Sequence, residues 1–203
     1  MNKSLYEFAS DQHNAAFEYI GMDGQPKVEQ MGRIMDAVHC MESLWFSMEA
    51  GRVLNKSENR LRAECVLDWV IERCWDMEHG GFYAFVDVLT GVPEPEQQLE
   101  SYGSFSVRWS DKVWWVQAEA LIALAMSAVL NGNEAHWHYF ELLHQYVKTH
   151  FMDFEYGEWY TLLAKDGRVL IDAKGSDSKG PYHVPRCAMQ LMKLFAYGQK
   201  VCE

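Results

Sequence analysis

Apolar residues recur at intervals of three and four along much of the chain, and this spacing predicts helices. In the stretch 111–130, apolar residues cover most of the circumference, so this helix is expected to be buried on more than one side. Ser57 is expected to be the N-cap of the second helix, because a serine hydroxyl accepts hydrogen bonds from free backbone N–H groups. The predicted helices cover residues 31–54, 58–75, 111–130, 134–150 and, after a proline, about 185–197.

Glycines followed by aromatic residues predict short β-hairpins between these helices. One is expected from the glycine pair 80–81 onward, and a second over 159–171, turning at Asp166-Gly167. The polar segment that contains Pro93 and Pro95 and runs to about Ser110 is expected to be a loop. Residues 1–30 are broken by glycines and a proline, and are interpreted as irregular.

A unit of helix, helix and aromatic hairpin repeats at roughly 70 residues. Segments 76–83 and 153–160 resemble each other at an offset of 77 residues (153 minus 76), which also relates 39–42 to 116–119. A third unit with a shorter spacing places 183–186 in the same position. Equivalent positions of repeated units point toward one side. Convergence is therefore one interpretation, the other being that the two glutamates only anchor neighbouring loops; the residues concerned are His39, Glu42, Glu119, His183 and Arg186.

The segment 179–186 is the strongest local candidate for chemistry. A glycine and two prolines turn the backbone there, and a helix can start soon after. Tyr182, His183 and Arg186 supply a phenol, an imidazole and a guanidinium, which are groups that transfer protons and bind oxygens. The same residue types also occur in ordinary turns.

Composition narrows the class of partner. The net charge of −11 argues against nucleic acid or an anionic membrane surface as the main partner. The chain has 8 Trp and an aromatic share of 14%, which suits a carbohydrate site as well as an aromatic core. No stretch is expected to be a signal peptide or to span a membrane. Five cysteines without a C-x-x-C pair favour a reduced, cytoplasmic setting in which the thiols act as small apolar residues.

Three motifs carry a family resemblance. Residues 112–119 read Lys-Val-Trp-Trp-Val-Gln-Ala-Glu, residues 179–186 read Lys-Gly-Pro-Tyr-His-Val-Pro-Arg, and His39, Glu42 and Trp45 recur at every third position. With the Gly-Gly-Phe-Tyr turn, these motifs span about residues 31–197. They resemble the N-acylglucosamine 2-epimerase family, which includes cellobiose 2-epimerases and aldose-ketose isomerases.

The resemblance implies an all-α fold, a partial (α/α)₆ toroid of about three helix pairs with short β-hairpins between them. Residues 1–203 would be a single domain, the C-terminal half of the barrel, with 1–30 as an irregular N-terminal segment. Since the family's barrel is about twice as long, the resemblance implies a homo-oligomer or a complementary N-terminal half chain that completes the ring.

The resemblance also implies a sugar 2-epimerase or aldose-ketose isomerase acting on a mono- or disaccharide. His39 and His183 would transfer the proton at C2 through an enediolate, without a metal or an organic cofactor. The alternatives are a non-catalytic carbohydrate-binding or remnant half-barrel, and a purely structural repeat. Residues expected to bind or orient the sugar are Glu42, Trp45, Trp114, Trp115, Glu119 and Arg186. The histidines expected on the surface or in loops are His13, His79, His136, His138, His144 and His150.

Overall fold

The structure is a computed structural model that describes residues 4–27, 30–93, 99–102 and 105–201. Five α-helices carry this part of the chain, preceded by a π-helical turn at Ser4–Phe8 and a 3₁₀ turn at Gln30–Arg33. The α-helices are α1 (Ala37–Val53), α2 (Ser57–Cys74), α3 (Trp114–Asn131), α4 (Glu134–His150) and α5 (His183–Val201).

Short antiparallel strands lie between the helices, where short β-hairpins were expected, and with them the fold is not strictly all-α. The strands pair as β1 with β2, β3 with β4, β5 with β6, and β7 with β8 with β9. Their bounds are β1 Ala9–Ser10, β2 Ala15–Ala16, β3 Ile34–Asp36, β4 Phe85–Asp87, β5 Leu99–Tyr102, β6 Phe105–Arg108, β7 Lys112–Val113, β8 Leu162–Leu163 and β9 Val169–Ile171.

Helix α3 is the centre of the described fold. It packs against each of the other four α-helices, and consecutive helices pair as α1 with α2 and α3 with α4. By length and composition alone α3 could cross a membrane, contrary to the expectation that no stretch could, but 78% of its apolar window is buried inside the protein. Burial on nearly all sides, as the sequence predicts, makes it the core helix.

Two helices begin at residues other than those expected. Helix α1 starts only at Ala37, because β3 occupies the preceding residues and Asp36 is the N-cap, accepting hydrogen bonds from the backbone N–H groups of Val38 and His39. The prediction that Ser57 caps α2 is wrong. Ser57 is the first helical residue, and Lys56 is the N-cap without a side-chain hydrogen bond.

The predicted loop that runs to Ser110 is wrong where β5 and β6 form a hairpin. Pro95, on which part of the loop prediction rested, lies outside the described residues, as does Cys202. The two turns predicted at glycines are confirmed. Gly167, with φ of 85°, turns β8 into β9 as expected, and the glycine pair lies in a tight turn closed by a bridge between Trp75 and Phe82.

The repeat is confirmed by the structure. The bridge between Trp75 and Phe82 recurs as a bridge between Met152 and Trp159, each residue 77 positions later (152 minus 75, 159 minus 82). Inside each turn an aspartate, Asp76 or Asp153, accepts hydrogen bonds from the backbone two and three residues ahead. The sequence similarity therefore encodes a repeated turn that follows α2 and α4 in the same way.

Buried polar side chains fasten the first turn to the start of α3. Gln117 is fully buried, and its amide accepts from the Phe82 N–H at 2.9 Å and donates to the Phe82 carbonyl at 2.8 Å. Lys112 is also fully buried, with Nζ 3.2 Å from the Gly81 carbonyl and 3.0 Å from Asp76. In the next repeat Lys179 reaches the Trp159 carbonyl in a similar way. These contacts set where α3 and α5 begin.

His136 differs from its expected place on the surface or in a loop. It is 1% exposed, with Nδ1 2.7 Å from Ser127 Oγ on α3 and Nε2 2.9 Å from Asp68 Oδ1 on α2. The three residue types are those of a hydrolytic triad, but Ser127 is fully buried and no substrate can reach its hydroxyl. The trio therefore clamps three helices together.

Replacing Gln117 with alanine is expected to lower the free energy of unfolding by about 2–4 kcal/mol, because the N–H and C=O of Phe82 lose their partners in a dry site. Urea denaturation followed by circular dichroism measures this loss. Gln145→Ala, on the exposed face of α4, is the matched control and is expected to change the value by less than about 0.5 kcal/mol. Equal losses in the two variants would show that Gln117 does not fasten the turn to α3.

Candidate active site

An open cavity of about 320 Å³ lies where the first turns of α1, α3 and α5 meet. Each of these helices contributes to the lining within its first two turns, so the turns that fix the helix starts also fix the cavity. Two imidazoles, one carboxylate and two aromatic rings face the space. The lining residues are Val38, His39, Glu42, Trp115, Tyr182 and His183.

Arg186 connects the three helices behind this cavity. Its Nη2 lies 2.7 Å from Glu119 Oε1 on α3 and 2.5 Å from Glu42 Oε1 on α1. Its Nη1 donates to the Tyr182 hydroxyl. Glu42, Glu119 and Arg186 occupy the equivalent positions of the three repeats, so the convergence that the repeat suggested is observed as direct contact.

Aromatic rings enclose the Arg186 guanidinium. Its central carbon lies 4.1 Å from the centroid of Tyr182, 5.2 Å from Trp45 and 5.7 Å from Phe46. The rings attract the cation through their π faces. Arg186 is 9% exposed and Glu119 is fully buried, so the ion pair between these two residues is screened little. This geometry favours a role for Arg186 in bracing the three helices over the expected contact with a sugar.

His183 is held by a fully buried carboxylate. Glu119 Oε1 lies 2.7 Å from His183 Nδ1, and its Oε2 accepts from the Trp45 indole at 2.7 Å. Burial alone would raise the pKa of Glu119, but hydrogen bonds from His183, Arg186 and Trp45 outweigh it and hold the pKa below its usual 4.5. The carboxylate can only accept, so in the neutral ring the proton sits on Nδ1 and Nε2 carries the lone pair.

His39 is held at the same ring atom by other carboxylates. Its Nδ1 lies 3.0 Å from Glu18 Oε1 and 3.4 Å from Asp36 Oδ2. The hydrogen bond with Glu18 is the largest influence, and with the charges of Asp36, Glu18 and Glu42 it outweighs burial and raises the pKa of His39 to about 9. Burial in turn raises the pKa of Asp36 to about 6. His39 is therefore the imidazolium at neutral pH.

The structure separates residues that line the cavity from residues behind it. Trp115 lines it, with its ring centroid 6.1 Å from that of His183. Trp114 is fully buried against Trp115 and Phe105, so the expectation that it stacks on a sugar is wrong. Trp45 and Glu119 are also buried behind the lining, where they position other side chains rather than contact a sugar.

Glu18 and Asp36 were not identified as site residues from the sequence. Asp36 stands directly before an apolar helix, and an N-cap signal could have found it. Glu18 carries no such signal, because it lies 21 residues before His39 in a segment without periodicity. Only the path of the N-terminal segment brings it to the ring.

Two groups of side chains in the described part of the chain bring possible metal-binding atoms within 4.8 Å of one another. In one, the His39 ring is engaged by Glu18. In the other, Lys112 Nζ lies 3.0 Å from Asp76. Each group thus contains a side chain that is already ion-paired, and a reaction without a metal stays a prediction. The members are Glu18, Asp36 and His39 in the first group and Asp76, Glu78 and His79 in the second.

The amino-acid sequence is similar to that of a known protein family. The family model for N-acylglucosamine 2-epimerase (GlcNAc 2-epimerase) matches residues 1–187. The N-acylglucosamine 2-epimerase of Mus musculus is 34% identical over 173 residues, which are 84% of this chain and 38% of the mouse protein. The chain thus spans well under half the length of this relative.

Solved structures show the same fold over nearly the whole chain. A crystal structure of a D-mannose isomerase superposes with a TM-score of 0.77 at 20% identity, covering 95% of this chain and 46% of that one. The cellobiose 2-epimerase of Bacillus thermoamylovorans B4167 gives 0.71 at 19% identity, covering 95% and 45%. The fold is that of a partial helical toroid with small sheets.

Glu119→Gln is expected to destabilise the protein by about 2–4 kcal/mol at neutral pH, because the buried Arg186 loses one of its two counter-charges. The folded-state pKa of Glu119 is depressed, so its stabilisation is full above the unfolded value of 4.5 and is lost as pH falls through the folded value. The difference between wild type and variant should therefore shrink as pH falls below the unfolded value of 4.5.

Urea denaturation at each pH measures this difference. Glu141→Gln, which removes an exposed charge on α4, is the matched control and is expected to lie within about 0.5 kcal/mol of wild type throughout. A Glu119→Gln deficit that stays constant down to the lowest pH would show that the charge of Glu119 is not what stabilises the site.

Proposed function

The chain belongs to the N-acylglucosamine 2-epimerase family, and we propose that its cavity transfers the proton at C2 of an open-chain sugar. The observation that carries this proposal is the pairing of two imidazoles on one cavity. His39 and His183 both line it, and each is held through Nδ1 by a glutamate, so that each has Nε2 left for a substrate.

The electrostatics divide the two roles. Glu119 keeps the proton of the neutral His183 ring on Nδ1, which makes Nε2 a base. His39 is already protonated at neutral pH and is suited to act as the acid. Arg186 offsets the charge of Glu119, whereas two carboxylates, Glu18 and Asp36, face His39. In its neutral form His183 thus offers a lone pair on Nε2, whereas the protonated His39 offers an N–H.

The proposed reaction moves protons without a net change of oxidation state. Nε2 of His183 takes the C2 proton, the C2–H electrons form the C1–C2 double bond, and the carbonyl electrons move to O1, giving an enediolate. His39 then delivers its proton to the opposite face of C2 while the carbonyl re-forms, which inverts C2. Proton exchange with water returns both rings to their starting forms.

The same enediolate also supports isomerisation. If the proton returns to C1 instead of C2, an aldose becomes a ketose, and one base can serve both carbons. The relatives include a protein named as an epimerase and one named as an isomerase. Trp115 and Tyr182 would form the walls on which a mono- or disaccharide stacks.

We further propose that another chain, either a second copy or a complementary half, completes the ring around this cavity in a reducing, cytoplasmic setting. The chain covers 46% of the solved D-mannose isomerase. Apolar side chains on and beside α5 remain exposed, including Met189 at 55% and Met192 at 73%. An apolar surface of this kind is typical of an interface.

Incubation of the protein with candidate aldoses and ketoses in heavy water is expected to place deuterium at C2, or at C1 if a ketose is isomerised. His39→Ala and His183→Ala should each reduce the exchange by about 10²-fold or more, because each removes one proton-transfer group. His144→Ala, on the exposed face of α4, is the matched control and should exchange like wild type. Nuclear magnetic resonance of the recovered sugar measures the label, and light scattering reports the assembly.

Label that appears equally with wild type and both histidine variants would rule out the two-histidine mechanism. An assembled wild-type protein that binds sugars but exchanges no proton would instead favour the non-catalytic, carbohydrate-binding half-barrel.

A further inference from the structure

The N-terminal segment, read from the sequence as irregular, is docked onto the helices. Arg62 of α2 lies 2.6 Å from Asp11, and Arg73 of α2 donates to the backbone carbonyls of His13 and Asn14 at 2.6 and 3.0 Å. Phe17 is 3% exposed within the core. A segment without regular periodicity is thus fixed in place by two arginines and a buried ring.

This docking delivers one carboxylate to the candidate site. The backbone N–H of Glu18 donates to the Ile34 carbonyl of β3 at 3.1 Å, which sets the residue beside the start of α1. Its side chain then meets His39 Nδ1 at 3.0 Å. Asp36, 4% exposed and fixed as the N-cap of α1, approaches the same nitrogen at 3.4 Å.

We infer that Glu18 is a positioning residue for the proposed reaction. Glu18 holds the imidazole of His39 by Nδ1, so that Nε2 faces the sugar as the proton donor. The inference rests on the proposed function for its chemical meaning. The contact itself is independent of it.

Three features support this role. The arrangement is the counterpart of Glu119 on His183, so both rings are held in the same sense. Glu18 lines an adjacent cavity of about 230 Å³ together with His39, and it is not among the residues that line the candidate site. The hydrogen bond to Glu18 is also the largest cause of the raised pKa of His39.

The charged groups around His39 come from several elements. Glu18 faces it from the N-terminal segment, Asp36 from the N-cap, and Glu42 from the next turn of α1, while His183 of α5 lies across the cavity. Arg186 pairs with Glu42 and offsets that charge. The His39 side chain is 58% exposed, so water screens these charges, and the directly bonded Glu18 is expected to dominate.

The test is a titration of the ¹⁵N-labelled full chain, followed at the ring nitrogens of His39 and assigned with His39→Gln. Glu18→Gln keeps the size of the side chain and removes its charge. We expect it to lower the pKa of His39 by about one unit or more. Asp23→Asn removes a charge from the same segment without contacting His39 and should leave the titration unchanged.

A role limited to docking the N-terminal segment would change the melting temperature but not this titration. In sugar exchange, the alkaline limb of the rate against pH should move to lower pH in Glu18→Gln, because His39 loses its proton earlier, and Glu18→Asp should partly restore it. A His39 titration that moves no further in Glu18→Gln than in Asp23→Asn would overturn the inference. Absence of exchange in wild type would instead contradict the proposed function, and the titration would still decide the role of Glu18.

Discussion

The buried ion pair between Arg186 and Glu119 is the contact on which the rest of the site depends. It joins α5 to the core helix α3, and the second bond of Arg186 to Glu42 adds α1. Glu119 is fully buried, so its desolvation is offset only because Trp45, His183 and Arg186 all donate to it. Removal of any one donor leaves this buried carboxylate with fewer hydrogen bonds to offset its desolvation.

This constraint gives the cavity its geometry. The helices that supply its walls are pinned at their starts, by Asp36 at α1 and by Gln117 and Lys112 at α3. The network then fixes their first turns against one another, so the two imidazoles, one on α1 and one on α5, line the same cavity. The two tethers differ in their surroundings, because Glu119 also pairs with Arg186 whereas Glu18 stands beside a second carboxylate, Asp36.

Sequence reasoning predicted the parts of this arrangement that local patterns encode. Periodicity predicted α3 and α4. The repeat offered the convergence of Glu42, Glu119 and Arg186 as one of two interpretations, because repeated units place equivalent positions on one side. It missed the start of α1, where tertiary strand pairing overrides helical spacing at residues 34–36. It also took Trp114 for a wall and His136 for a surface residue. The burial of Trp114 and the contact of His136 with Asp68 of α2 cannot be inferred from the local pattern. The same holds for Glu18, whose contact depends on the path of a segment without a periodic signal.

The most direct test of this account is the tautomer of His183, because it reports both the Glu119 tether and the free base that the proposed chemistry requires. Nitrogen-15 resonances of the neutral ring in the wild-type chain distinguish the two forms. The account predicts a proton on Nδ1 and a bare Nε2, and this pattern should be lost when Glu119 is replaced by alanine. A neutral ring that carries its proton on Nε2 in the wild-type protein would contradict it.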